Sequence, residues 1–228
     1  MCEQYVAISA TPFRLDALWP FTERLEKFGI AGFGWGATWL SADGTLQSYR
    51  DLGTFRDDRR RAEIGGIETR SLLMHLRRPS KFSTIGYPDT QPFDDPAGRY
   101  AFSHNGDLEH HQVFRSRYRE AGRLLGKADT EVGARWLEDH WSEAASVPGA
   151  LNTLHDTFGG HANLAILTRD GQGHHYAGND ENPVFTFDIG EIRLACTGMY
   201  SLDRSVFKFV VPEATNRKLV PFEQTASM

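Results

Sequence analysis

Apolar positions follow two periods along this chain. Residues 5–9 read as a short strand. Leu15, Leu18, Thr22, Leu25 and Phe28 then repeat at helical spacing. That predicts a helix over about residues 15–28, opened by Thr11-Pro12 and ended by Gly29. Residues 37–40 and 46–49 are strand-like on either side of Ala42-Asp43-Gly44, a hairpin signal. Residues 56–66 are expected as a polar loop and 71–76 as a buried strand. Three prolines within residues 81–98, among Gly, Asp and Thr, predict a long loop over a functional face. Residues 99–104 read as a strand running into an Asn105-Gly106 turn.

Helical spacing returns over residues 109–125, with Gly126 as the expected stop. Asp129 is expected to cap a helix over 130–142, with Val132, Trp136 and Leu137 inward. Residues 151–158 form a further short helix. Beyond it the pattern is strand-like over 163–168, 174–177, 184–188 and 192–196. Arg169-Asp170-Gly171 and Asp188-Ile189-Gly190 supply turns. From Pro212 the chain reads as loop or edge with a fraying tail. Strands with helices grouped between them suit an α+β sandwich of antiparallel sheets covered by helices. No domain boundary is evident, so residues 1–228 are expected to form a single domain.

Composition narrows the function classes. Aromatic content of 12% and charged content of 24% are those of a folded globular protein. A net charge of −5 without a basic excess argues against nucleic acid or an anionic membrane as main partner. Arg59-Arg60-Arg61 follows Asp57-Asp58 and reads as a solvated surface. No run approaches the ~18 apolar residues of a membrane span. Cys2 and Cys196 are the two cysteines, too few for a disulfide scaffold, and the N-terminus lacks a secretion pattern. A cytoplasmic location is therefore expected.

A thiol at position 2 changes this picture. If Met1 is removed, Cys2 acquires a free α-amino group. The thiol (pKa ~8.5) and amine (~7.7–8.0) lie close enough for one residue to supply nucleophile and general base. Taken alone, such a cysteine is most often inert. Asn105 beside Gly106 can form an oxyanion hole, from a side-chain amide and an unobstructed N–H. Asn-Gly taken alone is most often a turn. Arg77 suits a carboxylate and Asp129 an ammonium group, so together they can hold an α-amino acid head group. Singly, they read as an ion pair and a helix cap. The pairs His110-His111 and His174-His175 lack chelating spacing, so no metal or other cofactor is expected. Cys196, in Leu194-Ala195-Cys196, reads as a buried small residue.

Four segments stand in order: Cys2, His75-Leu76-Arg77-Arg78-Pro79-Ser80, His104-Asn105-Gly106 and Asp129-Thr130-Glu131. This ordered set resembles the class II glutamine amidotransferases of the N-terminal-nucleophile (Ntn) hydrolase type. Gly34-Trp35-Gly36 resembles the family's Gly-Trp-Gly strand, and Thr90-Gln91-Pro92-Phe93 the Asn-x-x-Pro-Phe stretch of its small stand-alone members. The motifs cover residues 2–135. Two departures are Gly34 where the small members carry Asp, and Pro79 before Ser80.

The resemblance implies a four-layer αββα sandwich. It implies Cys2 as nucleophile and base, Asn105 and Gly106 as the oxyanion hole, Arg77 and Asp129 as binders of the substrate's α-carboxylate and α-amino groups, and Ser80 as a pocket residue. His75 and His104 are expected as structural neighbours. The expected reaction is cleavage of a γ-glutamyl amide, of glutamine or another γ-glutamyl compound, through a Cys2 thioester. Two other readings stand beside it: an ammonia-supplying glutaminase subunit with a separate synthase partner, and a catalytically idle relative that binds its ligand. A homo-oligomer is also compatible with the sequence.

Overall fold

The computed structural model describes residues 2–29, 31–198 and 206–228. The chain runs β1 (Glu3–Arg14), α1 (Trp19–Phe28), β2 (Trp35–Leu40), β3 (Leu46–Asp51), α2 (Arg61–Gly65), β4 (Glu68–Leu76), β5 (Phe93–Asp94) and β6 (Tyr100–Gly106). It continues through α3 (His111–Glu120), α4 (Asp129–His140), α5 (Val147–Phe158), β7 (Ala162–Thr168), β8 (Gly173–Tyr176), β9 (Val184–Ile189), β10 (Ile192–Thr197), α6 (Val206–Val210), β11 (Thr215–Leu219) and β12 (Thr225–Ser227). One sheet has the order β11-β9-β10-β1-β4-β2-β3, the other β12-β8-β7-β6-β5. The strand pairings are antiparallel.

Alternation of side chains decides the layering. In β1, Tyr5 and Ala7 face a core shared with Leu18, Phe21 and Leu25 around α1, while Val6 faces the second sheet. In β6, Tyr100 and Phe102 pack toward α4 and α5, while Ala101 faces the first sheet. Helices therefore cover both outer faces, giving the αββα sandwich expected. Strands buried on both faces read as continuous apolar runs rather than as alternation.

The layer between the sheets changes character along its length. Val6, Leu73, Ala101, Ala165 and Ala195 make part of it apolar. Toward the start of β1 it becomes polar. Gln4 Nε2 donates to the Asn163 carbonyl (3.1 Å), Ser103 Oγ donates to Gln4 Oε1, and the Gln4 N–H donates to Thr197 Oγ1 (3.1 Å).

Several boundaries differ from the sequence expectation. Thr11-Pro12 lies within β1, where the register with β4 shifts between Ile8 and Phe13; proline is tolerated at such irregularities. Helix α1 starts instead at Trp19-Pro20, after a 3-10 turn over Leu15–Leu18. The loop 56–66 contains the short helix α2. The loop 81–98 contains two 3-10 turns and β5. Helix α3 stops before Gly122, not Gly126. Gly122 has φ +66°, its N–H donates to Arg119 O and that of Arg123 to Tyr118 O, a Schellman stop. The tail pairs as β12 with β8 rather than fraying.

His175 is buried on β8, and desolvation pushes its pKa down to about 4. Burial lowers the pKa of His75 for the same reason. The unfolded chain titrates near ~6.5, so between these values it takes up a proton that the folded state excludes. Stability is therefore full above the unfolded value and is lost as pH falls toward 4, by on the order of 3 kcal/mol for His175. The thermal midpoint, measured from about pH 7.5 to 4.5, should fall less steeply in His175→Gln than in the wild type. Equal slopes would contradict this origin.

Candidate active site

The pairing of β1 with β4 sets Glu3 opposite Leu76, which brings Cys2 to the end of β4. There the Cys2 thiol lies between two backbone groups of one residue: the Arg78 N–H donates to Sγ (3.2 Å), and Sγ donates to the Arg78 carbonyl (3.4 Å). Burial pushes the thiol's pKa up, against the lowering effects of the Arg78 hydrogen bond and nearby positive charge. A thiol so placed is not a thiolate by virtue of its surroundings alone.

Asn105 and Gly106 are not the turn expected; they are the last two residues of β6, opposite Asn163 and Ala162. Asn105 is fully buried, and its Nδ2 donates to the Cys2 carbonyl. Gly106 has φ +131°, and a Cβ there would overlap the His161 carbonyl, so only glycine fits.

Arg77 is buried. Its Nη2 donates to Thr84 Oγ1 (3.1 Å) and Nη1 to the Gly86 carbonyl (3.5 Å), which ties the 81–86 segment to the end of β4. Burial lowers its pKa, while Cys2, Asp89 and Asp129 act to raise it. Ser80 stands exposed on the cavity rim.

Asp129 is the first residue of α4 rather than its cap; Ala128 holds the cap position. One Asp129 oxygen accepts the Leu108 N–H and the other the Thr130 N–H, both at 2.9 Å. Its neighbours do different work. Thr130 Oγ1 meets His104 Nδ1 (3.1 Å), and the Glu131 carboxylate accepts the Leu125 and Gly126 N–H groups (2.8 Å each). Cys2, Arg77, Ser80, Gly106 and Asp129 line one cavity of about 560 Å³, and Asn105 lies behind Cys2.

His75 and His104 are buried, and desolvation lowers the pKa of both. Neutral imidazoles of lowered basicity fit the structural role expected of them.

Other residues at the site have roles that the sequence reading did not assign. Asp89 accepts the Lys127 and Ala128 N–H groups (2.6 and 2.7 Å) and sets the approach to Asp129. It occupies the Asn place of the Asn-x-x-Pro-Phe stretch, a signal available by counting back from Pro92. Gln91 brackets His104 like a strand partner: Oε1 accepts its N–H (2.6 Å) and Nε2 donates to its carbonyl (3.1 Å). A Cβ at Gly36 would overlap the Gln91 carbonyl, which explains the second glycine of Gly34-Trp35-Gly36. Gly34 has φ +119° with Asp51 O close to its missing Cβ, so a side chain there would be strained.

No family model matches the chain. Glutamine–fructose-6-phosphate aminotransferase [isomerizing] from Staphylococcus aureus is 21% identical over 170 residues, 73% of this chain and 28% of that protein. Glutamine phosphoribosylpyrophosphate amidotransferase from B. subtilis superimposes with a TM-score of 0.72 at 16% identity, over 100% of this chain and 49% of that one. A glutamine aminotransferase class-II domain protein from Silicibacter pomeroyi superimposes with a TM-score of 0.57 at 16% identity, over 98% and 94%. The chain thus spans less than half the length of the first two relatives. Its fold is a two-sheet α+β sandwich, shared with these two amidotransferase and aminotransferase structures. In motif order and in fold it resembles the class II glutamine amidotransferase domains.

In the chain that retains Met1, alkylation of Cys2 by iodoacetamide should rise with pH through a midpoint above the ~8.5 of free cysteine. Mass analysis of the N-terminal peptide reads the rate. A midpoint below that value would mean that charge, not desolvation, governs the thiol.

Proposed function

We propose that residues 1–228 form one class II glutamine-amidotransferase-type domain that hydrolyses a γ-glutamyl amide through Cys2. The observation that carries this reading is the shared cavity: a thiol, a glycine-only backbone corner, a guanidinium and a carboxylate line it together. The Arg77 guanidinium binds the substrate α-carboxylate, and the Asp129 carboxylate its α-ammonium group. Ser80 closes the rim beside them. With Met1 removed, the α-amine of Cys2 accepts the thiol proton. Sulfur then forms a bond to the carbonyl carbon of the γ-carboxamide, and the carbonyl electron pair moves to oxygen. The Asn105 amide and the Gly106 N–H stabilise that oxyanion. The amine passes its proton to the leaving nitrogen as the C–N bond breaks. Water hydrolyses the thioester and restores the thiol.

The rival readings separate by assay. Glutamine turnover by the isolated chain supports a hydrolase. Turnover that requires an added synthase supports a subunit. Binding without turnover supports an idle relative.

Treatment with an electrophilic glutamine analogue should yield a mass lacking Met1 and carrying one adduct, absent in Cys2→Ala. Retained Met1 with no adduct would sink the mechanism. Asn105→Ala should lower kcat by about 10²–10³. Asp129→Asn and Arg77→Lys should mainly raise KM, since both contacts exist before the chemical step. A KM unchanged in both would remove the head-group assignment.

A further inference from the structure

An asparagine amide can sit in two orientations that exchange Oδ1 and Nδ2, and only one presents a donor. At Asn105 the choice decides whether the buried side chain stabilises an oxyanion or repels it. Its Oδ1 accepts Nδ2 of Asn163 (3.3 Å) and Nδ2 of Asn182 (3.1 Å), which leaves its own Nδ2 to the Cys2 carbonyl.

Backbone groups set the polarity of this cluster. Asn163 Oδ1 accepts the Asn179 N–H (3.2 Å), and Asn163 Nδ2 donates to the Asn182 carbonyl (2.7 Å). A backbone N–H only donates and a backbone carbonyl only accepts, so the two ends of Asn163 are fixed. The loop itself is held in shape by Asn179 Oδ1, which accepts the N–H groups of Glu181 (3.0 Å) and Asn182 (3.2 Å). Flipping Asn105 would set amide against amide at Asn163 and Asn182, and oxygen against oxygen at Cys2. In a buried site, each such mismatch leaves polar groups unsatisfied.

We propose that Asn163, seconded by Asn182, is a positioning residue that presets the Asn105 amide as the oxyanion donor. This rests on the γ-glutamyl amidohydrolase reading above. Asn163 touches neither the thiol nor the cavity; it acts through Asn105.

Asn163→Asp keeps size and the acceptor for Asn179 but turns an oxygen toward Asn105 Oδ1. It should lower kcat by about 10–10², part of the loss of a whole oxyanion donor, with KM changed less than about twofold. A γ-glutamyl aldehyde, whose carbon takes the Cys2 sulfur to give a tetrahedral adduct, should bind more weakly by the same factor as kcat falls. Glutamate should bind as before. Asn182→Ala removes one donor and a buried Oδ1 that lacks a partner, while keeping the carbonyl that holds Asn163. It should fold and show a smaller fall in kcat. Unchanged kcat in both variants, or equal weakening of aldehyde and glutamate, would overturn the proposal. The Asn105 side-chain NH₂ signal, read by NMR, should be sharp and protected in the wild type and broadened in either variant. A wild type without turnover but with that signal would sink the activity and leave the positioning role standing; an unprotected signal in the wild type would sink the positioning role.

Discussion

A polar group buried between two sheets has to find its hydrogen-bond partner inside the protein. That constraint organises this molecule. The space between the sheets is apolar around Val6, Leu73 and Ala165 and polar around Gln4, Ser103, Asn105 and Asn163. Gln4 and Asn105 are answered from distant segments: Gln4 from β6, β7 and β10, and Asn105 from β7, the loop before β9 and Cys2 just ahead of β1. The candidate site is the end of this layer, where it opens into the cavity lined by Cys2, Arg77 and Asp129.

The elements that position the site do so through backbone contacts more than through bulk. Arg78 offers its N–H and carbonyl to the Cys2 sulfur. Asp89 and Gln91 offer their side chains to the backbones of Lys127, Ala128 and His104. Glycine is required where two backbones come together, as at Gly106 against His161 and Gly36 against Gln91. These close approaches couple the 86–91 segment to both sheets. The residues around the cavity thus share a frame although they come from distant parts of the chain.

Much of this was legible in the sequence, for local reasons. Periodicity found the central strands and α1, α4 and α5, because their apolar faces are set within a few residues. The ordered motifs brought out Cys2, Arg77, Ser80, Gly106 and Asp129, which line the cavity, and Asn105, which lies behind it. What was not legible depended on partners far along the chain. Asn105-Gly106 carries a turn signal, yet pairing with Ala162 and Asn163 extends β6 through it. Pro12 looks like a helix opener until β4 is known to lie beside it. Asn163, Asn179 and Asn182 carry no local signal at all; their roles appear only when β7 and the following loop close on β6.

Register ties the two levels together. A strand shifted by one residue against its neighbour exchanges its faces. In β1 such a shift would turn Tyr5 and Ala7 from the α1 core toward the second sheet and Val6 away from it. The same slip would put Glu3 where Cys2 now stands and take the sulfur from the Arg78 backbone. The burial of Tyr5, Val6 and Ala7 fixes the register, and the register fixes Cys2. The hydrophobic effect acting on three ordinary core residues sets the register, and within it the Arg78 backbone seats the candidate nucleophile.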